Sequence, residues 1–164
     1  MSAITPFLWF DGQAEQAASL YVSVFSKGGK KNSKVLSVTR YGDAGPGPEG
    51  TAMTVAFKLD GQVFTALNGG PQFKFNESVS FVIDCKTQKE IDYFWEKLTQ
   101  DGGQESMCGW LKDKYGLSWQ VFPASSANKL FDNKKPERAK RVMEAMLKMK
   151  KIVIADLKKA YDQK

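Results

Sequence analysis

The sequence predicts an α+β fold built from two similar halves and closed by a helical extension. Three observations carry that expectation. Residues Met53–Leu59 alternate apolar and polar side chains with a period of two, the mark of a strand with one buried face. Gln13–Phe25 and Gln88–Thr99 instead repeat their apolar residues at steps of three and four, as amphipathic helices do. The halves also match weakly at an offset of 74 residues: Phe7, Leu8 and Trp9 fall on Phe81, Val82 and Ile83, and Ala17 and Tyr21 on Ile91 and Trp95.

In chain order, Ile4–Phe10 reads as a strand ended by Asp11-Gly12. The helix Gln13–Phe25 follows, with Ala14, Ala17, Ala18, Tyr21, Val24 and Phe25 on its apolar face. After a Gly- and Lys-rich loop, Lys34–Tyr41 is a strand by its Val and Thr content. GDAGPGPEG, residues 42–50, holds four glycines and two prolines and can only be a loop. The alternating strand ends at Asp60-Gly61, a strong hairpin signal, and Gln62–Asn68 returns. The second round is a strand over Ser78–Cys85, the helix Gln88–Thr99, and strands over Glu105–Lys112 and Leu117–Phe122. The order is therefore β-α-β-β-β, then β-α-β-β.

Beyond Pro123 the composition changes. Residues 1–123 carry a net charge of −1 and residues 124–164 a net charge of +7. Ala124–Lys135 reads as a polar connector, and Glu137–Asp162 as one helix with a stripe through Val142, Met146, Met149, Val153, Leu157 and Ala160. Such a helix must dock, either on its own domain or on a second chain. Its basic face reads first as solvated, with a calmodulin-like or membrane contact as the sharper alternative. Phe131 and Tyr161 are the only aromatics in the tail, so no stacking platform for single strands is expected, and nucleic acid is not an expected partner.

The composition excludes much chemistry. The chain has no histidine, which removes imidazole acid/base catalysis, His-based triads and imidazole metal ligands. Phosphate-loop and dinucleotide fingerprints are missing, and the proline-rich GPGPEG loop cannot present successive amides to a phosphate. No apolar run approaches the ~18 residues of a membrane span, and the opening residues lack the pattern of a secretory leader. Cys85 and Cys108 lie 23 positions apart, with no metal or redox spacing, so a reducing cytoplasm is the expected setting. Cys85 reads as a core residue. Cys108 reads first as structural, although Gly109-Trp110 directly after it marks a close approach. Asp11 and Asp113 read as turn-makers. Asn68, Gln72 and Asn76 bracket Phe73 and Phe75, an amide cluster beside aromatics that suits orienting a small ligand.

The segments ITPFLWFDGQAEQAASLYVSVF, RYGDAGPGPEG, MTVAFKLDGQVFTALNGGPQFKFNES and CGWLKDKYGLSWQVFP together resemble the PhnB-like family. Its members carry the name "3-demethylubiquinone-9 3-methyltransferase domain", and it belongs with the glyoxalases and bleomycin-resistance proteins in the vicinal-oxygen-chelate superfamily. The resemblance covers residues 4–123 and leaves out the tail. It implies paired βαβββ modules, about 1–76 and 77–123, whose curved antiparallel sheets enclose a cavity completed in a homodimer, with 124–164 as a basic helical extension. It also implies a divalent metal held by His and Glu. This chain places Gln120 at one usual Glu position and Asn68 or Ala66 near another, and has Gln72 where family members read GGPHFKFN. A tight metal site and a cofactor are therefore not expected, and no S-adenosylmethionine-binding motif supports methyl transfer. The expected ligand-binding residues are Phe7, Trp9, Asn68, Gln72 and Asn76 in the first half, with Cys108, Trp110 and Gln120 in the second. The leading expectation is a metal-free small-molecule binding protein. A glyoxalase-like metal-dependent lyase or isomerase and an interaction module acting through the tail are the alternatives.

Overall fold

The computed structural model describes residues 4–132 and 134–163. Met1–Ala3 of the expected first module, Asn133 of the expected connector and Lys164 at the end of the tail lie outside the described residues. The chain divides into two units, Met1–Phe75 and Asn76–Lys164.

The first unit runs β1 (Phe7–Phe10), α1 (Ala14–Lys27), β2 (Lys34–Arg40), β3 (Ala52–Leu59) and β4 (Gln62–Asn68), with its strands ordered β1-β4-β3-β2. Asp60 and Gly61 both take positive φ, 47° and 94°, as a two-residue hairpin with the right twist requires. Alternation decides which side of the sheet is covered. Val55, Phe57 and Leu59 of β3 and Phe64 and Ala66 of β4 are buried on the side where α1 packs. Tyr21 of α1 lies 6.2 Å from the Phe57 ring, which stacks on Phe64 at 5.4 Å. Burying each such side chain contributes about 1.5–3 kcal/mol. Strand β2 is the mostly exposed edge, with register shifts on either side of Ser37–Thr39 and cations at both ends, features that discourage pairing with other chains.

The second unit repeats the plan with β5 (Ser80–Asp84), α2 (Gln88–Thr99), β6 (Gln104–Glu105), β7 (Trp110–Lys112) and β8 (Ser118–Phe122), ordered β5-β8-β7-β6. Ala14 and Gln88, the first residues of the two helices, are 74 positions apart, and Phe7 and Phe81 occupy equivalent edge strands. The sequence similarity thus coincides with identical topology. Thr87 caps α2 by accepting from the Glu90 amide, while the Glu90 carboxylate accepts from the Lys86 amide. Ile91, Phe94, Trp95 and Leu98 of α2 are buried, as are Leu111, Trp119 and Val121 of the sheet it covers.

Four expectations are corrected. The sheets are mixed, not antiparallel: β1 runs parallel to β4, and β5 parallel to β8, because a helix separates each first strand from the rest of its sheet. The expected strand Glu105–Lys112 is interrupted, since Cys108 (φ 58°) and Gly109 (φ 85°) turn the chain between β6 and β7. The expected connector Ala124–Lys135 contains the helix α3 (Ala124–Leu130), whose first turn is held when the Asp84 carboxylate accepts from the amide and hydroxyl of Ser125. The single helix expected over Glu137–Asp162 is two, α4 (Pro136–Met146) and α5 (Ile154–Asp162). No Gly or Pro breaks it; instead the carbonyls of Met149 and Lys150 accept from the amides of Cys108 and Gly109, at 2.8 and 2.7 Å. Tertiary hydrogen bonding overrides local propensity here. Val142, Ile152, Leu157 and Ala160 are buried, whereas Met143 and Leu147 stay exposed.

Candidate functional site

In the first unit the end of the sheet, the Gly69–Gln72 loop and the Gly42–Gly50 loop bound a cleft of about 480 Å³. Its construction starts from three glycines. A Cβ on Gly45 would lie 2.6 Å from the Tyr41 ring, and one on Gly47 2.4 Å away, so only glycine lets this loop lie against the aromatic face. A Cβ on Gly69 would sit 2.3 Å from the Trp9 ring. The loops are therefore pressed onto rings, and polar bonds fix their register. The Tyr41 hydroxyl donates to the Asn68 carbonyl at 2.6 Å, and the Trp9 indole N–H donates to the Gly70 carbonyl at 2.8 Å. The Trp9 ring meets the Phe73 ring edge-on at 4.9 Å.

Asn68 does structural work in this cleft. Its Oδ1 accepts from the Ala14 amide at 2.8 Å and so caps α1, whose own N-cap residue, Gln13, contributes no side-chain bond. Its Nδ2 donates to the Ala52 carbonyl at 2.9 Å. Gln72 is exposed at the cleft, and its amide makes no hydrogen bond among the described residues. Asp11, exposed on the cleft wall, is among the described residues the one charged group lining the cleft and has no ion pair to another of them. Arg40, which lines a neighbouring cleft with Gly12 and Asn68, is paired with Glu15 at 3.2 Å. Trp9 is half-buried behind Gly69, while Phe7 is 60% exposed on the sheet face opposite α1, in register with Thr65.

The other expected residues belong to the second unit. Asn76 closes an Asx turn, its Oδ1 accepting from the Ser78 amide at 3.0 Å. Trp110 and Gln120 are direct cross-strand partners on the face opposite α2, and the Gln120 amide donates to the Ser80 hydroxyl at 2.9 Å. Gln120 thus lies away from the helix, as the alternation of buried Trp119 and Val121 requires. Cys108 is half-buried in its turn, its Sγ 3.6 Å from the Met146 carbonyl. A smaller cleft of about 140 Å³ is lined by Glu77, Glu105, Trp110, Lys112 and Ser118. The hydrogen bond from Lys112 holds the Glu77 carboxyl below the usual carboxylate range. A lowered carboxyl pKa lends stability that is present at neutral pH and fades as pH falls through the acid range. Replacing Lys112 with Met is expected to move the Glu77 titration up toward its ordinary value, the backbone hydrogen bond to the carboxylate still holding it somewhat low, readable by carboxyl-carbon NMR.

The donor set does not fit the divalent metal that the resemblance implies. The chain has no histidine, and the described residues contain no group of three His, Cys, Asp or Glu able to hold a metal. Gln120 and Asn68, at the usual carboxylate positions, are neutral amides engaged by other side chains and backbone.

Several cleft residues were not singled out from the sequence. In the sequence Tyr41 carries no signal beyond closing a strand, and Asp11 reads as a turn-maker. The usable clue was the Gly-x-Gly spacing of Gly45 and Gly47 a few residues after an aromatic, which suits a loop lying on a ring.

Two units of identical βαβββ order, each with one helix on one face of its sheet, define the class as a paired-module α+β protein. The family model described as 3-demethylubiquinone-9 3-methyltransferase matches residues 2–122, and the chain belongs to this PhnB-like family. Among solved structures it is similar to the PhnB protein from Bacillus cereus, with 39% identity over 73% of this chain and 97% of that one and a TM-score of 0.64. Protein PA1353 from Pseudomonas aeruginosa matches at 18% identity over 73% and 95% of the two chains, with a TM-score of 0.57. A glyoxalase/bleomycin resistance protein from Albidiferax ferrireducens matches at 11% identity over 72% and 95%, with a TM-score of 0.47. No curated protein matches the chain.

Proposed function

We propose that this PhnB-like chain binds a small organic molecule in the first-unit cleft, without a tightly held metal. The observation that carries the reading is the cleft itself. Its volume of about 480 Å³ lies within the range typical of small-molecule sites, and its loops are fixed by close approach to Tyr41 and Trp9. Pro46, Pro48 and Tyr41 supply apolar wall, while Asp11 and Gln72 supply uncommitted polar groups. With one carboxylate and no cation among the described residues of the lining, the cleft favours a neutral or ammonium-bearing ligand over an anion.

No methyl-transfer step is part of this reading. A cytoplasmic setting agrees with two free cysteines, and no helix among the described residues is long and apolar enough to cross a membrane. A homodimer agrees with the exposed apolar side chains on two other edge strands, Phe7 on β1 and Val82 on β5.

The test is a calorimetric titration with matched neutral, cationic and anionic small molecules. Asp11→Asn is expected to weaken binding of a cationic ligand by roughly 2- to 5-fold, equivalent to about 0.4–1 kcal/mol, and to leave neutral ligands nearly unchanged. A preference for anions, or an Asp11→Asn protein that binds cations as well as the parent does, would sink the charge assignment.

A further inference from the structure

The tail lies beyond the family's matched residues 2–122, yet it bonds directly to a turn inside them. That turn is unusual. Cys108 holds φ at 58° and Gly109 at 85°, a left-handed pair of which only the second residue is glycine. A non-glycine residue persists there when its surroundings over-determine the conformation.

The surroundings are found in the tail. Both turn amides donate into it, Cys108 to the Met149 carbonyl and Gly109 to the Lys150 carbonyl. The Gly109 carbonyl in turn accepts from the Val121 amide at 2.8 Å. A Cβ on Gly109 would lie 2.8 Å from the Val121 carbonyl and 3.0 Å from the Ile152 side chain, so the tail closes one side of the turn. The segment that does this is fastened at its far end to α2. The Gln88 amide donates to the Ile152 carbonyl at 3.0 Å and accepts from the Ile154 amide at 2.9 Å. Asp92 pairs with Lys151 at 2.6 Å and also accepts from Gln88 at 3.1 Å. Ile152 between these fastenings is fully buried.

The geometry points to residues 146–154 as a strap that positions the Cys108–Gly109 turn, and with it Trp110, the first residue of β7 and the cross-strand partner of Gln120. Two carbonyls that a continuous helix would have used internally are turned outward to serve this purpose. Ser106 and Trp110, on either side of the turn, both line the smaller second-unit cleft, so the strap also sets the wall of that cleft. The tail is thus part of the second unit's working surface, and its docking and the geometry around Trp110 are coupled.

The full-length Gln88→Ala protein tests this, because it removes both side-chain fastenings at Ile152 and Ile154 without touching the turn. Amide exchange at Cys108 and Gly109 should accelerate about tenfold or more, while the amides of Ile83 in β5 and Phe94 in α2 keep their parent rates. The Cys108 thiol should react faster with a disulfide reagent in parallel, Cys85 being buried. The indole N–H resonance of Trp110 should move as well, a response that general loosening of the tail alone would not produce. Unchanged exchange at Cys108 and Gly109 in Gln88→Ala, whatever happens at Ile154, overturns the proposal. If Gln88→Ala accelerates every amide, Asp92→Asn, which removes only the charge facing Lys151, is read in the same way. Selective acceleration at the turn then supports the strap, and a uniform or absent response overturns it.

Discussion

Asp113→Ala is expected to destabilise the chain by about 3–5 kcal/mol, the scale of leaving several buried donors without an acceptor. The carboxylate is only 3% exposed. Its Oδ1 accepts from the amides of Tyr115 and Leu117, at 2.9 and 3.1 Å, and its Oδ2 accepts from the Trp119 indole at 2.8 Å. Alanine would leave two backbone amides and an indole N–H facing a void. The turn into β8 and the burial of Trp119, 2% exposed, depend on the same group. Asp113→Asn keeps one acceptor oxygen and should cost less than alanine, since only one side of the network then meets an NH₂. Urea unfolding monitored by tryptophan fluorescence measures both. An alanine protein within about 1 kcal/mol of the parent would show that water replaces the carboxylate, contrary to its burial.

Gly69→Ala is expected to damage both stability and the proposed binding site. Its Cβ would fall 2.3–2.5 Å from three atoms of the Trp9 ring, and an aromatic ring in a sheet cannot yield as the end of a lysine could. Displacing the ring would break the indole bond to the Gly70 carbonyl and the edge contact to Phe73. Overpacking of this kind costs typically about 1–3 kcal/mol, and here it also moves the loop that carries Gln72. Ligand affinity should fall at least about tenfold with the stability loss. Gly12→Ala supplies the contrast: its φ of 85° is strained for alanine, but the Cβ would meet open space. It should cost about 1 kcal/mol of backbone strain and leave the Gly69–Gln72 loop in place.

The elements that could be read in the sequence are those whose pattern is local. The alternation in Met53–Leu59, the Asp60-Gly61 turn and the apolar stripes of Tyr21–Phe25 and Ile91–Leu98 each state their own secondary structure, and the structure agrees. The turn at Cys108–Gly109 and the break at Leu147–Val153 could not be read separately, because each is the other's cause. The backbone amides of one are satisfied by the carbonyls of the other, 41 residues apart; Gly109 signals a close approach without naming its partner, and no residue type at 147–153 announces a break. Parallel pairing of β1 with β4 is not legible in the sequence for a related reason. The strand pattern records which face is buried but says little about the direction of the neighbour. At the site, the amides Asn68 and Gln72 were visible as chemistry, whereas their division of labour was not. Asn68 is spent on capping α1 and tying β4 to Ala52, and Gln72 is left to the cleft.

The most direct test of the central claim is amide-resonance mapping of the chelator-treated, metal-free chain with small neutral and ammonium-bearing compounds. The cleft reading predicts saturable shifts at Gly47, Gly70 and Gln72 without added metal, and the same shifts when Zn²⁺, Ni²⁺ or Mn²⁺ is present. Shifts that arise only after one of these metals is added, and that centre on Trp110 and Gln120, would contradict it.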